Sequence, residues 1–354
     1  MRISTPLRAG DWCDIADAAR TVEAIGFDQV HANEIRHDPF SMLVPATLAT
    51  DRIGLATSVA IAFPRSPMIV ANLGWDLNHN SGGRFVLGLG SQVKGHNERR
   101  FSVPWTPPAP RMSEYVRALR AIWRCWEKGE PLNFEGKHYT FTLMTPEFSP
   151  EPNGLPMIPI TIAAVGPAML RLAGRHCDGV RLHRFCTRDY IEKAVMPEIE
   201  KGFAQSGRRR ENFEVCGGGF VATGPDDEAV RAAVERVRYR IGFYGSTPAY
   251  RPVLDLHGLG DLGMRLNAKV KNREWNSLAG DVPDEVLHLF TAVGTYEALP
   301  EKIAERFGGL SDSITVEIAD GTDTRTARRL VEALQAIPSR FEGFATKWDS
   351  AAAA

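Results

Sequence analysis

The 354-residue sequence predicts an α/β fold of the (β/α)8, or TIM-barrel, type. Two nearly continuous apolar runs, Ile53–Ile61 and Phe85–Leu89, predict buried strands, and Met68–Leu77 between them has helical spacing. A helix-length crossover between two apolar strands is what a parallel sheet requires. The same strand–helix unit recurs along the chain, which at this length favours one barrel with insertions over a doubly wound sheet.

Eight strands are predicted, and the first is the weakest. They are Arg2–Ser4, Phe27–Ala32, Ile53–Ile61, Phe85–Leu89, Ile160–Ala164, Gly179–Leu182, Glu214–Ala222 and Ser313–Ile318. Helices are predicted over Trp12–Ile25, Phe40–Ala49, Met68–Leu77, Arg111–Trp126, Pro167–Arg175, Asp189–Phe203, Asp226–Arg240, Tyr296–Phe307 and Ala327–Ile337. In the fourth helix Arg117, Arg120 and Arg124 lie opposite the apolar face, which predicts that these three side chains are exposed to solvent.

The predicted domain organisation follows from two segments that interrupt the alternation of strands and helices. We expect a single barrel domain over residues 1–340, with insertions near 129–159 and 242–281 and a tail over 341–354 whose AAAA end frays. The alternating segment FEGKHYTF predicts a hairpin in the first insertion. The second insertion is rich in Gly, Pro, His and Tyr and shows no clear period.

Bulk composition narrows the function classes. Charge is balanced, with 42 basic and 43 acidic residues, so no overall field favours nucleic acid or an anionic membrane. The chain has no run of about 18 apolar residues and no apolar leader, which predicts a cytoplasmic protein. Its five cysteines are widely spaced without a CxxC pair, so reduced thiols are favoured over disulfides or a metal site.

Polar residues follow several predicted strands, where a barrel places its active site. His37 follows the second strand, His96 the fourth and His183 the sixth, and imidazole can exchange a proton near neutral pH. A single histidine is more often a packed or surface residue than a catalyst, but three strand ends that carry one each favour a role in the site. We therefore take His96 and His183, with His37 behind them, as candidates for proton transfer.

Two glycine motifs follow strands. Leu87-Gly88-Leu89-Gly90 resembles half of a dinucleotide fingerprint, but the third glycine would fall at Val93, which disfavours a Rossmann site. Gly166-Pro167-Ala168 opens a helix, and the free N–H groups there can bind an anion, although capping alone would also explain it.

Long blocks of the sequence resemble the bacterial luciferase-like superfamily of flavin and deazaflavin oxidoreductases, and most closely its probable F420-dependent group. The blocks are GFDQVHANEIRHDPF, AFPRSPM, LGLGSQVKGHNERRFSVPW, GPAMLRLAGRHCDGV, FYGSTPAYRPVLDLHGLGDLG and AVGTYEALPEKIAERFGG. The resemblance covers nearly the whole chain. It implies a barrel with insertions and a cofactor that lies across the carboxyl ends of the strands.

The same resemblance assigns residues to the cofactor. It implies a strand-three bulge with a non-proline cis peptide, an acidic contact after strand two and a phosphate-binding turn. These are Thr57, Ser58 and Val59; Glu34; and Val165, Gly166, Pro167 and Ala168. We add Ser91 and Gln92 as expected cofactor contacts, because they follow the fourth strand at the same edge of the sheet. Basic residues such as Lys94, Arg99 and Arg184 would suit the acidic tail of F420.

Two departures limit the resemblance. Ile35 stands where several deazaflavin dehydrogenases have a catalytic histidine, and Val93 stands where they have a carboxylate. These departures argue against a sugar-phosphate dehydrogenase and leave the proton donor open.

The function implied is hydride transfer between F420 and a small organic substrate. Phe243, Tyr244 and Tyr250 in the second insertion would cover the substrate face, and packing in the core explains them equally well. Alternatives are a two-component monooxygenase that uses flavin mononucleotide (FMN) and, third, a non-catalytic cofactor-binding protein. The expected partners are a second copy of the chain, as a homodimer, and a separate cofactor reductase. No nucleic acid, membrane or metal partner is expected.

Overall fold

Parallel pairing of the apolar strands builds a closed eight-stranded barrel surrounded by helices, which confirms the predicted TIM-barrel fold. The computed structural model describes residues 1–8, 10–345 and 348, so the AAAA end lies outside the described residues. The strands are β1 Arg2–Pro6, β2 Gln29–Ala32, β3 Gly54–Thr57, β4 Ala60–Ile61, β5 Phe85–Gly90, β6 Phe134–Glu135, β7 Thr140–Phe141, β8 Ile160–Ala164, β9 Gly179–Leu182, β10 Glu214–Gly217, β11 Phe220–Gly224, β12 Thr291–Thr295 and β13 Ser313–Thr315.

The main sheet has the order β3-β2-β1-β13-β10-β9-β8-β5-β4, and an additional pairing of β3 with β5 closes it. Neighbouring strands of this sheet pair in parallel: Leu55 lies opposite Phe85, and Leu87 lies opposite Ile160. The predicted third strand is divided into β3 and β4 by the bulge at Ser58.

The predicted seventh strand is also divided, and here the sequence reading was incomplete. Gly217 and Gly218 both have positive φ, 77° and 104°, which ends β10. The chain then continues as β11, which pairs in parallel with β12 in a separate two-stranded sheet. The β12 strand, Thr291–Thr295, was not predicted.

The helices match the predicted positions with small shifts at their ends. They are α1 Trp12–Ile25, α2 Pro39–Ala49, α3 Pro67–Asn80, α4 Lys94–Arg99, α5 Pro108–Lys128, α6 Pro167–His176, α7 Arg188–Tyr190, α8 Met196–Ser206, α9 Asp227–Gly245, α10 Arg251–Leu256, α11 Gly260–Lys271, α12 Asp284–Phe290, α13 Leu299–Phe307 and α14 Thr324–Gln335. Among the described residues no helix is long and apolar enough to cross a lipid bilayer.

Both predicted insertions contain regular structure. The first carries the predicted hairpin, in which β6 and β7 pair antiparallel. The second lacks a clear period in sequence, yet residues 242–281 contain α10, α11 and short 3-10 turns. Short helices joined by turns change the direction of the apolar face every few residues, which is why no single period appears.

Contacts divide the chain into two compact units. The amino-terminal unit comprises Thr5–Arg181, Glu198–Glu214 and Phe341–Ala354, and the carboxyl-terminal unit comprises Met1–Ser4, Leu182–Pro197 and Val215–Arg340. The assignment of residues 1–340 to one domain stays a prediction. The beginning of the predicted tail is held in the amino-terminal unit, because Asn212 donates a hydrogen bond to the Gly343 carbonyl at 2.9 Å.

The core of the amino-terminal unit contains a buried charge network that the sequence did not reveal. Arg120 was predicted to be solvated, but it is only 3% exposed and donates to the Asp178 carboxylate at 2.9 Å. The other Asp178 oxygen accepts from Arg208 at 2.8 Å. The backbone N–H of Ile160 also donates to Asp178, at 2.8 Å. The prediction of a solvated row was therefore wrong for Arg120, because a long-range carboxylate neutralises its charge.

We predict that Asp178→Asn destabilises the protein strongly. Two buried guanidinium groups would lose a charged partner, and removing one partner of a buried pair typically costs about 3–5 kcal/mol. The matched control is Glu130→Gln, which removes the partner of Arg124 in a pair whose carboxylate side chain is 45% exposed. Its expected cost is below about 1 kcal/mol. Urea unfolding measures the free energy of unfolding of both variants. Similar losses of this free energy in Asp178→Asn and Glu130→Gln would contradict the buried network.

Candidate functional site

The strand-three bulge is fixed by two hydrogen bonds between neighbouring barrel strands. The Thr57 hydroxyl donates to the Gly88 carbonyl at 2.7 Å and accepts from the Gly88 N–H at 2.8 Å. A Cβ at position 88 would lie 2.0 Å from the Thr57 carbonyl oxygen, so only glycine fits. The peptide bond between Ser58 and Val59 is cis, within the segment that the resemblance indicated.

A buried arginine lies beside this bulge. Arg181, on β9, is 9% exposed, and its Nε donates to the Thr161 hydroxyl at 2.8 Å. Its Nη1 lies 3.4 Å from the Ser58 hydroxyl, and its Nη2 is buried without a hydrogen-bond partner. Within the part of the chain that the structure describes, no carboxylate pairs with it. The sequence reasoning missed Arg181, although a charged residue inside an apolar strand was an available signal.

Glu34, the predicted acidic contact, is engaged by the protein itself. One carboxylate oxygen accepts from the Ile61 N–H at 2.7 Å and from Arg65 at 2.8 Å, and the other accepts from Arg65 at 3.0 Å. Arg65 also donates to Asp38 at 2.7 Å. The Glu34 side chain is 8% exposed. This arrangement ties the loop after strand two to the loop after strand three, and the contact of Glu34 with a cofactor stays a prediction.

The loop after β5 carries the next group of predicted residues. The side chain of the buried Asn97 donates to the carbonyls of Ser91 and Val93, at 2.9 and 3.1 Å, and so shapes the loop. Gln92 has a positive φ of 55° and accepts from the Val93 N–H. His96 lies on α4 with its side chain exposed.

The predicted phosphate turn is open. Gly166 is the N-cap of α6 with φ −91° and ψ 160°, and Pro167 occupies the first turn. No heavy atom lies within 4 Å of the place where a Cβ at Gly166 would be. Val165 is half-buried, and Ala168 is exposed. In this first turn Pro167 has no N–H, and the N–H groups of Met169 and Leu170 donate to the Gly166 carbonyl at 3.1 and 3.0 Å. The N–H of the exposed Ala168 is therefore the one that the turn offers to an anion.

His183 belongs to the carboxyl-terminal unit, where aromatic rings surround it. Its ring stacks on Tyr250 with centroids 4.4 Å apart and meets Tyr244 edge-on at 4.5 Å. The backbone N–H of Phe185 donates to His183 Nδ1 at 3.0 Å. Burial, together with the charge of Arg184, lowers the pKa of His183 to about 4.

The remaining predicted residues lie at the surface. His37 is exposed and makes none of the contacts described above. Arg184 is half-exposed, with its guanidinium 3.6 Å from the carboxylate of Glu317. Among the described residues no group of three or more His, Cys, Asp or Glu side chains could hold a metal ion.

Comparison with known proteins identifies a family and several relatives of this chain. The sequence profile described as luciferase-like monooxygenase matches residues 2–313. An uncharacterized protein of Mycobacterium tuberculosis is 46% identical over 299 residues, which are 84% of this chain and 88% of the relative. The 5,10-methylenetetrahydromethanopterin reductase of Archaeoglobus fulgidus is 29% identical over 312 residues, 86% of this chain and 87% of the relative.

Solved structures show the same fold. The coenzyme F420-dependent tetrahydromethanopterin reductase from Methanopyrus kandleri superposes with a TM-score of 0.74 at 20% sequence identity. The similarity covers 95% of this chain and 97% of that one.

We predict that His183 makes the protein less stable in mild acid. In the unfolded chain the imidazole binds a proton below about pH 6.5, whereas in the folded protein it stays neutral down to about pH 4. Between these values the unfolded state binds more protons, so the free energy of unfolding falls as pH is lowered from 6.5 towards 4. The variant His183→Asn should lose less stability between pH 7 and pH 5 than the parent protein.

Urea unfolding at the two pH values provides the measurement. His79→Asn, at an exposed position near the end of α3, controls for the loss of an imidazole as such. If the parent protein and His183→Asn lose equal stability between the two pH values, His183 is not neutral in the folded state at pH 5.

Proposed function

Because the chain belongs to the luciferase-like monooxygenase family, we propose that it is an oxidoreductase that uses coenzyme F420. F420 is an 8-hydroxy-5-deazaflavin, and when bound it would supply hydride chemistry to a small organic substrate. The observation that carries the proposal is the buried guanidinium of Arg181, which has an unpaired Nη2 beside the strand-three bulge. Burying a cation without a carboxylate is costly, so its retention favours a role in binding an electron-rich group.

Residues of this chain are suited to bind such a cofactor at its ring and at its phosphate. Flavins and deazaflavins share an electron-rich dione edge, and proteins tune such rings by placing charge beside them. Arg181 would hold this edge, and the close approach of Thr57 and Gly88 fixes the backbone next to it. The open first turn of α6 at Gly166 would hold the phosphate, since helix N-termini favour anions.

Two observations favour F420 over FMN. One of the solved structures with the same fold is described as dependent on coenzyme F420, and the relative from Archaeoglobus fulgidus is named a reductase. F420 also carries an acidic tail that FMN lacks. Lys94, whose Nζ lies 3.9 Å from Glu98, is weakly paired and exposed, so it is available to such a tail. A contact of Arg184 with the tail stays a prediction.

The second candidate is a two-component monooxygenase that receives reduced FMN. The description of the matching family, luciferase-like monooxygenase, favours it. Arg181 and the Gly166 turn serve both candidates equally, because FMN has the same dione edge and a phosphate.

The proton donor in the proposed reaction is open to two groups. His96 is exposed on α4 and free to approach a substrate, so it stays the candidate for proton transfer. Water is the alternative. Single-turnover hydride transfer in His96→Ala separates them, since a general acid or base contributes typically about 10²–10⁴-fold.

The test of the proposed function is a titration of the full chain with each cofactor. We expect F420 to bind with a Kd in the micromolar range, equivalent to about −8 kcal/mol, and FMN to bind at least about tenfold more weakly. Quenching of the cofactor's own fluorescence follows the binding. The reverse order of affinities would move the assignment to the monooxygenase.

We predict that Gly166→Leu weakens cofactor binding without destabilising the free protein. The side chain meets no atom of the protein, and the φ of −91° suits any residue, so the fold should tolerate it. It would, however, obstruct the approach of the phosphate to the first turn and to the Ala168 N–H, and a loss of about 1 kcal/mol there means roughly fivefold weaker binding.

Gly280→Leu is the matched control, because Gly280 is also exposed with no neighbour within 4 Å. Its cofactor affinity and melting temperature should equal those of the parent protein. If Gly166→Leu binds F420 as tightly as Gly280→Leu does, the turn is a helix cap and does not bind phosphate.

A further inference from the structure

The carboxyl-terminal unit contains a cleft of about 490 Å³. Residues of α7, α12, β12 and α13 line this cleft, and we call it the α13 cleft. Its charged lining residues are Arg188, Asp189, Lys302, Glu305 and Arg306. The volume lies in the range of about 300–1,000 Å³ that small-molecule sites occupy. The cleft can therefore admit a small ligand, and none of the residues assigned above to the cofactor lines it.

Hydrogen bonds hold the walls of the α13 cleft in place. The guanidinium of Arg306 donates to the Leu289 carbonyl from Nη1, and to the Cys186 carbonyl at 2.8 Å from Nη2. The Nη1 of Arg188 donates to backbone carbonyls at the end of α13, at 3.1 to 3.2 Å. The cleft is therefore formed before a ligand enters, which lowers the entropic cost of binding.

One positive charge in the α13 cleft lacks a counter-charge. Arg306 pairs with no carboxylate within the part of the chain that the structure describes, and its Nε is buried without a hydrogen-bond partner. Burial lowers the pKa of Arg306 to about 10, so the guanidinium stays charged at neutral pH. The carboxylates of the cleft have cations of their own. Asp189 pairs with Lys193 at 2.6 Å. Glu305 pairs with Lys302 at 3.1 Å. An anion that enters the cleft would therefore supply the missing counter-charge of Arg306.

Thr291 adds a second unused group, and the strand that carries it adds an apolar surface. The Thr291 side chain is buried, and its hydroxyl has no hydrogen-bond partner among the described residues. A buried hydroxyl without a partner is costly, so a ligand oxygen beside it is favourable. Ala292 and Val293 follow it on β12 and also line the cleft. A cation, an unused hydroxyl and an apolar wall together suit an organic anion with an apolar body.

We propose that the α13 cleft is a binding site for a small organic monocarboxylate, whose carboxylate lies beside Arg306 and whose apolar body packs on β12. Backbone carbonyls take only part of the N–H groups of this guanidinium, and charge-assisted hydrogen bonds to a carboxylate are stronger than neutral ones. Asp189 and Glu305 penalise a second negative charge on the ligand, as in a dicarboxylate or a phosphate monoester. The site does not involve the cofactor and goes beyond the proposed function.

The first experiment measures the ligand class by isothermal titration calorimetry of the full chain at pH 7, without cofactor. Benzoate carries one carboxylate, benzamide is its neutral analogue, isophthalate adds a second carboxylate, and inorganic phosphate lacks the apolar body. We expect benzoate to bind at least about tenfold more tightly than benzamide, because only benzoate neutralises Arg306. It should bind at least about fivefold more tightly than isophthalate or phosphate, because Asp189 and Glu305 repel the additional charge. Equal binding of benzamide and benzoate, or tighter binding of isophthalate or phosphate, would overturn the proposal.

The second experiment locates the bound benzoate. His257 and His288 line the α13 cleft, whereas His37 and His79 lie in the amino-terminal unit. In the full chain with ¹⁵N-labelled histidine, benzoate should shift the ring signals of His257 and His288 and leave the other two unchanged. Variants such as His288→Gln assign the signals. Shifts at His37 or His79 without shifts at the two histidines of the cleft would place benzoate elsewhere and contradict the proposal.

Variants connect the affinity to the two unused groups. Arg306→Gln keeps an N–H donor for the backbone carbonyls but removes the charge, so it should weaken benzoate at least about tenfold and leave benzamide unchanged. Thr291→Val has nearly the same shape, removes only the hydroxyl and should weaken benzoate about threefold. Thr223→Val is the matched control, because Thr223 also has a buried hydroxyl without a hydrogen-bond partner but does not line the cleft. Its affinity for benzoate should equal that of the parent protein.

Thr291→Val decides the proposal even if Arg306→Gln does not fold, because the Thr291 hydroxyl makes no hydrogen bond that the fold would lose. Unchanged benzoate affinity in Thr291→Val, or an equal loss in Thr223→Val, would show that benzoate does not bind in the α13 cleft. A failure of F420 to bind affects the proposed function alone, because none of these measurements uses the cofactor.

Discussion

The barrel around the candidate site depends on the hydrogen bonds that the buried carboxylate of Asp178 accepts. Its side chain accepts hydrogen bonds from the Ile160 N–H and from Arg120 and Arg208. Its backbone N–H donates to the Ile160 carbonyl at 2.7 Å, and its carbonyl accepts from Glu214 at 3.0 Å. One residue thus joins the beginnings of β8, β9 and β10. Because Arg181 follows three residues later on β9, the same anchor fixes where its guanidinium lies.

Two kinds of buried arginine in the amino-terminal unit differ in a way that separates structure from function. Arg120 is neutralised by the carboxylate of Asp178, although its Nε is buried without a hydrogen-bond partner. Arg181 has hydroxyl partners, an unpaired Nη2 and no carboxylate among the described residues. What separates the two is the counter-charge. Its absence beside Arg181 is why this residue, and not Arg120, marks the proposed cofactor site.

Glu34 and His183 show how local partners change the chemistry expected from a residue type. Arg65 and the Ile61 N–H already donate to the oxygens of Glu34, so the charge of this carboxylate is partly neutralised within the protein. The Phe185 N–H donates to Nδ1 of His183. In both cases a nearby donor orients the side chain, and the contact of Glu34 with a cofactor and the role of His183 in proton transfer stay predictions. The chemistry of the proposed reaction then rests on the cofactor, with the protein supplying position and a polar environment.

The sequence by itself determined the barrel, the positions of its eight strands and the open turn at Gly166, because apolar periodicity and helix caps are local signals. It did not determine which charges are buried. Arg120 and Asp178 are 58 residues apart, and Glu34 and Arg65 are 31 apart, so their pairing appears only when the strands assemble. The break at Gly217 and Gly218 and the tautomer of His183 have the same origin. Single backbone angles and single hydrogen bonds decide them, and only the tertiary structure brings those partners together.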